Sequence, residues 1–344
     1  MKRTVVTIAL ITAISLAAGT GPTLHAATVT PFATGVYDEL YGLTSDIRGL
    51  YVTGSTAGFR DFNGNNTDGV VGKIPFATGK LTTLYSKAKY ATLSGHVTPF
   101  QITTDGAGGL FWADPDAGPS TGSAFISGTI GGAAPTQFFG ICCGPAVLPG
   151  DGTGFAFWRG ELYFSDSTGG RIGKGPSGSS ATQIGPTRYT PDFSTESWSQ
   201  IAVANGKIFI ADSAENRGVD SSGRAIVVDV SSATTITSGI RWISVDGSSG
   251  FVDLSVGKIL HPIGIVAVGK LLYVSAGRAV WQIEQATGRT TKYATDPRFL
   301  DLQGITFARG ALYVADSQIK FGPFVNGVAT AIKDRPGIIW KIAP

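Results

Sequence analysis

Histidine is scarce in this chain. There are three, and with His25 close to the N-terminus, His96 and His261 are left as candidates for acid–base chemistry. A histidine held in one tautomer beside a carboxylate can act as a general base near neutral pH. The acids placed to serve are Glu39, Asp151 and Asp301, and Tyr41 adds a phenol. Gln101, Gln200, Gln303 and Trp198 are suited to positioning a polar ligand. His261, Asp301, Glu39 and Tyr41 form the candidate catalytic set; Gln101, Gln200, Gln303, Trp198, His96 and Asp151 form the candidate binding set. These residues lie far apart in the chain, so a repeating scaffold must bring them together.

That scaffold is legible. An aliphatic–aromatic pair followed by two small or apolar residues recurs six times: Leu50-Tyr51-Val52-Thr53, Leu110-Phe111-Trp112-Ala113, Leu162-Tyr163-Phe164-Ser165, Ile208-Phe209-Ile210-Ala211, Leu272-Tyr273-Val274-Ser275 and Leu312-Tyr313-Val314-Ala315. Aspartate follows four copies at once, as Asp114, Asp166, Asp212 and Asp316. An apolar residue opens a preceding strand seven or eight positions upstream: Leu43, Ile102, Phe155, Ile201, Ile265 and Ile305. Tight turns such as Arg159-Gly160, Asn205-Gly206 and Arg309-Gly310 separate the two, so each unit begins with a hairpin. Two further short strands follow in most units. Four short strands repeated at this spacing predict an all-β fold, a six-bladed β-propeller. The chain ends on a third strand, Ile338 to Ile342, with no fourth after it. Thr28 to Thr34 has the character of a fourth strand and is expected to close the last blade.

Comparing the approach to each opening residue places the candidates. Four positions before it stand Glu39, Thr98, Asp151, Ser197, His261 and Asp301. Two before stand Tyr41, Phe100, Thr153, Ser199, Ile263 and Gln303. One before stand Gly42, Gln101, Gly154, Gln200, Gly264 and Gly304, the glycines permitting close backbone approach at the axis. The long connections, 54–69, 114–123, 212–224 and 316–337 with 86–98, 138–152, 185–199 and 294–302, share this face, and they read as irregular loops. Long loops on a rigid scaffold are where sites sit. The recurring aspartates are too regular to be one active site; they are expected to cap turns through backbone N–H groups. The candidates themselves have a bland alternative, in which they hydrogen-bond loop backbone and solvate the rim.

Residues 1–26 read as a secretory signal peptide: Lys2-Arg3, an apolar run from Val5 to Ala18, and a small residue at Ala26. No cysteine follows for lipid anchoring, so the expected location is secreted or periplasmic. Residues 27–344 form one propeller domain. Without Lys2 and Arg3 the 27 bases become 25 against 24 acids, a net charge of +1. A near-neutral chain with 48 glycines argues against nucleic-acid binding, and no second apolar run argues for membrane insertion. The expected partner is a small-molecule or glycan ligand, bound by a monomer.

The anchors, above all Tyr163-Phe164-Ser165-Asp166-Ser167 with Arg171-Ile172, resemble the NHL-repeat, SMP-30/gluconolactonase and strictosidine-synthase-like group of six-bladed propellers. That resemblance covers nearly all of residues 27–344. It implies architecture more than chemistry, since the group holds lactonases, lyases, condensing enzymes and binding modules. Its lactonases hold a divalent cation at the channel; at the matching positions this chain has Phe100 and Ile263, which cannot ligate. Its amidating lyases use several channel histidines, where this chain has only His96 and His261.

Two weaker signals remain. Cys142 and Cys143 are adjacent and, in an oxidising compartment, are expected to form a vicinal disulfide that stiffens a loop without closing a long one. Asp61 to Gly69 has oxygen ligands at alternate positions, as a calcium loop does, but Asn66 and Gly72 stand where that loop needs glycine and glutamate. No cofactor is predicted, and calcium at this loop is the one metal entertained. The expected function is an exported hydrolase or lyase acting on a small or carbohydrate-like ligand at the channel mouth. The alternative is a non-catalytic propeller that binds a partner with the same face.

Overall fold

The computed structural model describes residues 27–56, 68–86, 99–114, 124–140, 152–166, 171–175, 182–185, 198–219, 225–229, 238–250, 252–333 and 335–344. These form six blades of four antiparallel strands. Blade 1 is Glu39–Ser45, Gly49–Ser55, Gly69–Pro75 and Thr82–Tyr85. Blade 2 is Ile102–Thr104, Gly109–Asp114, Ala124–Thr129 and Thr136–Gly140. Blade 3 is Gly152–Trp158, Glu161–Asp166, Arg171–Gly175 and Thr182–Ile184. Blade 4 is Trp198–Ala204, Lys207–Asp212, Gly239–Ser244 and Val252–Asp253. Blade 5 is Pro262–Val268, Leu271–Ala276, Ala279–Glu284 and Thr290–Thr295.

Blade 6 is Leu302–Ala308, Ala311–Asp316, Ile338–Ala343 and the N-terminal strand Thr28–Thr34. The expected closure is present, with Thr28 opposite Ala343 and Thr34 opposite Ile338. Pro31 sits on this outermost strand, where its missing N–H can face away from the ladder. The six inner strands pack in a closed ring, blade 6 against blade 1.

The anchor works by period-two alternation. Its first and third residues pack toward the preceding blade and its second and fourth toward the next. Leu50 and Val52 lie in the cluster shared by blades 6 and 1, while Tyr51 joins Tyr85, Ile102 and Trp112 between blades 1 and 2. Leu162 and Phe164 face blade 2, whereas Tyr163 meets Ile201 and Ile208 of blade 4. The core is therefore six clusters, one in each seam between blades. The hairpin turns take the left-handed backbone that their sequences predict, as at Asn205 (φ 52°) and Gly206 (φ 72°).

Two of the expected irregular loops prove otherwise. Glu215–Val219 and Ala225–Asp229, inserted in blade 4, pair with Val328–Lys333 and Lys320–Phe321, inserted in blade 6. Ile226 lies opposite Thr330 and Val228 opposite Val328. Residues 225–229, which the loop limits assign to blade 4, thus belong to a separate four-stranded cap. The third strand of blade 4 starts at Gly239. The cap bridges blade 5, whose matching connection is only Gly277-Arg278. With no long loop of its own, blade 5 leaves space into which its neighbours' insertions reach.

Candidate functional site

Each inner strand except that of blade 2 begins with a register irregularity: Leu40/Leu43, Gly152/Phe155, Trp198/Ile201, Pro262/Gly264 and Leu302/Ile305. A bulge here releases one or two residues from pairing and re-aims them. The released residues include Tyr41, Gly42, Gln200, Ile263, Gln303 and Gly304. Glycine is needed where the strands close on one another. A Cβ on Gly42 would lie 2.6 Å from the Phe100 carbonyl oxygen, and one on Gly304 would lie 2.5 Å from the Leu43 nitrogen.

The ring is braced in pairs of blades. Thr53 Oγ1 accepts from Gly42 N at 2.8 Å and donates to the Phe100 carbonyl of the next blade. Ser275 Oγ does the same for Gly264 N at 2.9 Å and the Gln303 carbonyl. Ser165 Oγ accepts from Gly154 N at 2.8 Å. The sequence reading missed these hydroxyls, yet the signal is in the six anchors. Their fourth residue alternates Thr53, Ala113, Ser165, Ala211, Ser275, Ala315.

Two glutamines replace glycine in the ring and have different fates. Gln200 accepts from Ile265 N at 3.1 Å and Ile305 N at 3.3 Å, and donates to the Ile305 carbonyl at 3.4 Å. It braces blades 4, 5 and 6. Gln101 is 1% exposed, and neither end of its amide has a hydrogen-bond partner among the described residues. Burial of an amide without a partner costs about 1–3 kcal/mol.

Two carboxylates occupy equivalent positions on adjacent blades. Glu39, 1% exposed, accepts from Tyr41 Oη at 3.1 Å. Asp301, 4% exposed, accepts from Gln303 Nε2 and from Ser317 Oγ, both at 2.7 Å. In each case a donor two residues along the same strand holds the acid. Ser317 was not among the sequence candidates, although Asp-Ser recurs at Asp212-Ser213 and Asp316-Ser317.

His261 stands at the start of blade 5 with φ 53°, a left-handed backbone uncommon for a non-glycine residue. Its Nδ1 lies 2.9 Å from the Ser213 carbonyl oxygen. A carbonyl can only accept, so Nδ1 carries the proton and Nε2 is the basic nitrogen of the neutral ring. The Ser213 carbonyl thus orients the ring. The ring also stacks on Phe324 of the blade 6 insertion, centroids 6.2 Å apart.

The same insertion reaches the other side of the mouth. Phe321 and Ala331 pack on Tyr41, which stacks on Phe100 at 5.2 Å. The cap therefore roofs the mouth between blades 1 and 5, above the buried acids. Phe100 and Ile263, at the positions where a lactonase-type metal would be held, are spent on packing. Among the described residues no three His, Cys, Asp or Glu side chains converge as a metal site requires. His96, Asp151, Cys142, Cys143 and most of the 61–69 loop lie outside the described residues, as do residues 1–26. Trp198 is described only as a strand residue opposite Asp212.

Asp316 caps its turn. It accepts from Leu300 N, Asp301 N, Gln318 N, Gln318 Nε2 and Trp340 Nε1 at 2.6–3.2 Å. Burial nevertheless raises its pKa above the ordinary carboxylate range, the hydrogen bonds opposing. Asp212 likewise accepts from Ala214 N, at 3.3 Å, and also pairs with buried Arg241.

These features define a six-bladed β-propeller with a roofed channel mouth. No family model and no curated protein matches the chain. Among solved structures it is similar to a gluconolactonase from Xanthomonas campestris, at 10% identity and TM-score 0.59, over 92% of this chain and 89% of that one. It is similar to virginiamycin B lyase from Staphylococcus aureus, at 13% identity and TM-score 0.55, over 92% and 99%. That lyase is also solved as a catalytically inactive histidine-to-alanine variant with quinupristin. A chain of a nidogen/laminin complex matches at 15% identity and TM-score 0.50, over 78% and 85%. At such identities the likeness is one of fold, a six-bladed β-propeller.

Proposed function

We propose that the chain is an exported hydrolase or lyase acting on a small or carbohydrate-like ligand at the channel mouth, beneath the cap. The observation that carries this reading is the placing of Glu39 and Asp301 at matching positions of neighbouring blades. Two buried carboxylates at matching positions of neighbouring blades, each fixed by its own donor, are suited to acid–base work. One takes a proton from water or from a substrate carbon; the other protonates the leaving group. Tyr41 and Gln303 hold them, and the Gln101 amide receives a polar group of the ligand. His261 offers Nε2 as a further base, and the inactive histidine variant of the staphylococcal lyase is a precedent on this fold for a histidine the reaction needs. Gln200 contributes by holding the ring, and Trp198, His96 and Asp151 complete the expected binding set. The likeness to a gluconolactonase and a lyase supports an enzymatic propeller without choosing the substrate.

The test is a turnover screen of lactones, glycosides and uronides with the secreted chain. Glu39→Gln and Asp301→Asn are each expected to lower kcat by about 100-fold or more at unchanged melting temperature. Full activity in both would overturn the assignment. A non-catalytic reading is favoured by one observation: Phe324, Val325 and Ile332 of the cap are exposed apolar side chains. On that reading no substrate turns over, and Phe324→Ser abolishes capture of a protein or glycan partner.

A further inference from the structure

At the foot of the cap, outside the channel, lies a cavity of about 430 Å³ in the seam between blades 5 and 6. Arg278 of the tight blade 5 turn, Arg298 of the connection between the blades, and Lys320 and Arg335 of the blade 6 insertion all line it. Gln318 and Trp340, both buried, are also in its wall. No carboxylate lines it among the described residues. The whole chain carries a net charge of only +3, so four cations around one cavity are a marked local concentration.

The two arginines are held by one edge. Arg278 donates from Nε to the Phe299 carbonyl at 2.7 Å and from Nη2 to the Pro297 carbonyl at 2.8 Å. Arg298 lies over the Trp340 ring at 4.7 Å and is bound by Asp296 through Nε and Nη2, at 2.7 Å each. In both, Nη1 makes no hydrogen bond among the described residues. Lys320 and Arg335 have no ion pair among the described residues. Asp296 offsets one of the four charges, and Asp316, behind Gln318 and Trp340, is saturated by its five donors. Among the described residues, about three positive charges remain uncompensated.

We propose that this cavity binds a small organic polyanion, a compact body bearing two or more carboxylate, sulfate or phosphate groups. Guanidinium groups fixed through one edge match planar oxyanions with little ordering cost on binding. The volume falls in the range of organic-ligand pockets and exceeds what a lone inorganic oxyanion fills. Lys320 and Arg335, exposed and without an ion pair among the described residues, supply charge from the opposite wall.

The proposal is tested by calorimetric titration of the full chain with digalacturonate, a disulfated disaccharide and a sugar bisphosphate. Inorganic phosphate and methyl-esterified digalacturonate are the controls. At least one organic anion is expected to saturate one site, with affinity falling at least about tenfold between about 0.05 and about 0.5 M salt. Lys320→Gln with Arg335→Gln is expected to weaken it by about tenfold or more, and both positions are exposed enough to leave folding intact. Glu39→Gln is expected to leave the affinity unchanged, so failure of the channel reading and failure of this one are separable. No binding by any organic probe, equal binding of the ester, binding of inorganic phosphate alone, or unchanged affinity in the double variant would overturn it.

Discussion

The ring and the cap are held together in different ways. In the ring every strand but the N-terminal one pairs with a strand of its own blade nearby in sequence, and each seam is filled by anchors that alternate between two neighbours. In the cap, strands about a hundred residues apart meet across blade 5, only Ile226 to Val228 pairing with Val328 to Thr330. Both its flanking strands are edges. The ring can behave as one cooperative body, whereas the cap has the few contacts of a unit that opens locally. A site between them gains a rigid floor with its acids fixed and a roof able to part without unfolding the floor.

The largest test of this contrast is removal of residues 27–35. Among the described residues the N-terminal strand is the one ring strand whose partner lies at the far end of the chain, and without it blade 6 exposes the edge of Ile338–Ala343. The loss is expected to approach the whole folding free energy, about 5–15 kcal/mol. An unchanged melting temperature would sink the closure argument. Thr330→Pro probes the other region. It removes an N–H from an interior cap strand, a local cost of about 3 kcal/mol. Amides of 225–229 and 328–333 are expected to lose exchange protection while global unfolding moves by less than about 1 kcal/mol. Equal loss in both regions would show that ring and cap are one unit.

The same contrast decides what the sequence could reveal. The ring was legible because its signals are local: a turn such as Asn205-Gly206, a strand such as Ile208 to Ala211, and an aspartate after it. Even closure could be read, because Thr28 to Thr34 resembles Thr290 to Thr295. The cap was not legible. Ala225 to Asp229 has the pattern of any short strand, and nothing local says that its partner lies at 328 rather than in blade 4. Glu39, Tyr41, Asp301 and Gln303 were found by their register in the repeat. Their bonding was not, because it depends on a bulge and, for Asp301, on Ser317 at the base of the insertion. Gln101 and Gln200 hold the same register position. Only the structure separates the amide that braces neighbouring backbone from the one left unpartnered.

Two aspartates near the junction of ring and cap sharpen the comparison through pH. Asp316, at the end of a ring strand, has its pKa raised by burial. The folded state therefore binds its proton more tightly than the unfolded chain, and stability from this group rises as pH falls from its raised value toward 3.8. Asp316→Asn turns an acceptor oxygen into a donor facing N–H groups, with an expected loss of about 2 kcal/mol at pH 7. The deficit relative to wild type should widen at pH 4, because only the wild type gains by protonation. A deficit that narrows instead would contradict burial as the dominant cause.

Asp296, on the surface beside the cationic cavity, has the opposite sign. Hydrogen bonds from the Arg298 side chain lead in lowering its pKa. Its contribution is present above 3.8 and is lost as pH falls through the lowered value. Because Arg298 is half exposed and solvent screens the pair, Asp296→Asn is expected to cost only about 0.2–1 kcal/mol at pH 7. That difference should vanish in acid. The substitution also removes the one acid among the described residues that offsets the cavity's four cations, so it should tighten anion binding while leaving the ring's stability nearly unchanged. Weaker anion binding would mean that Asp296 acts by holding Arg298 in place, and that pre-organisation outweighs net charge at this site.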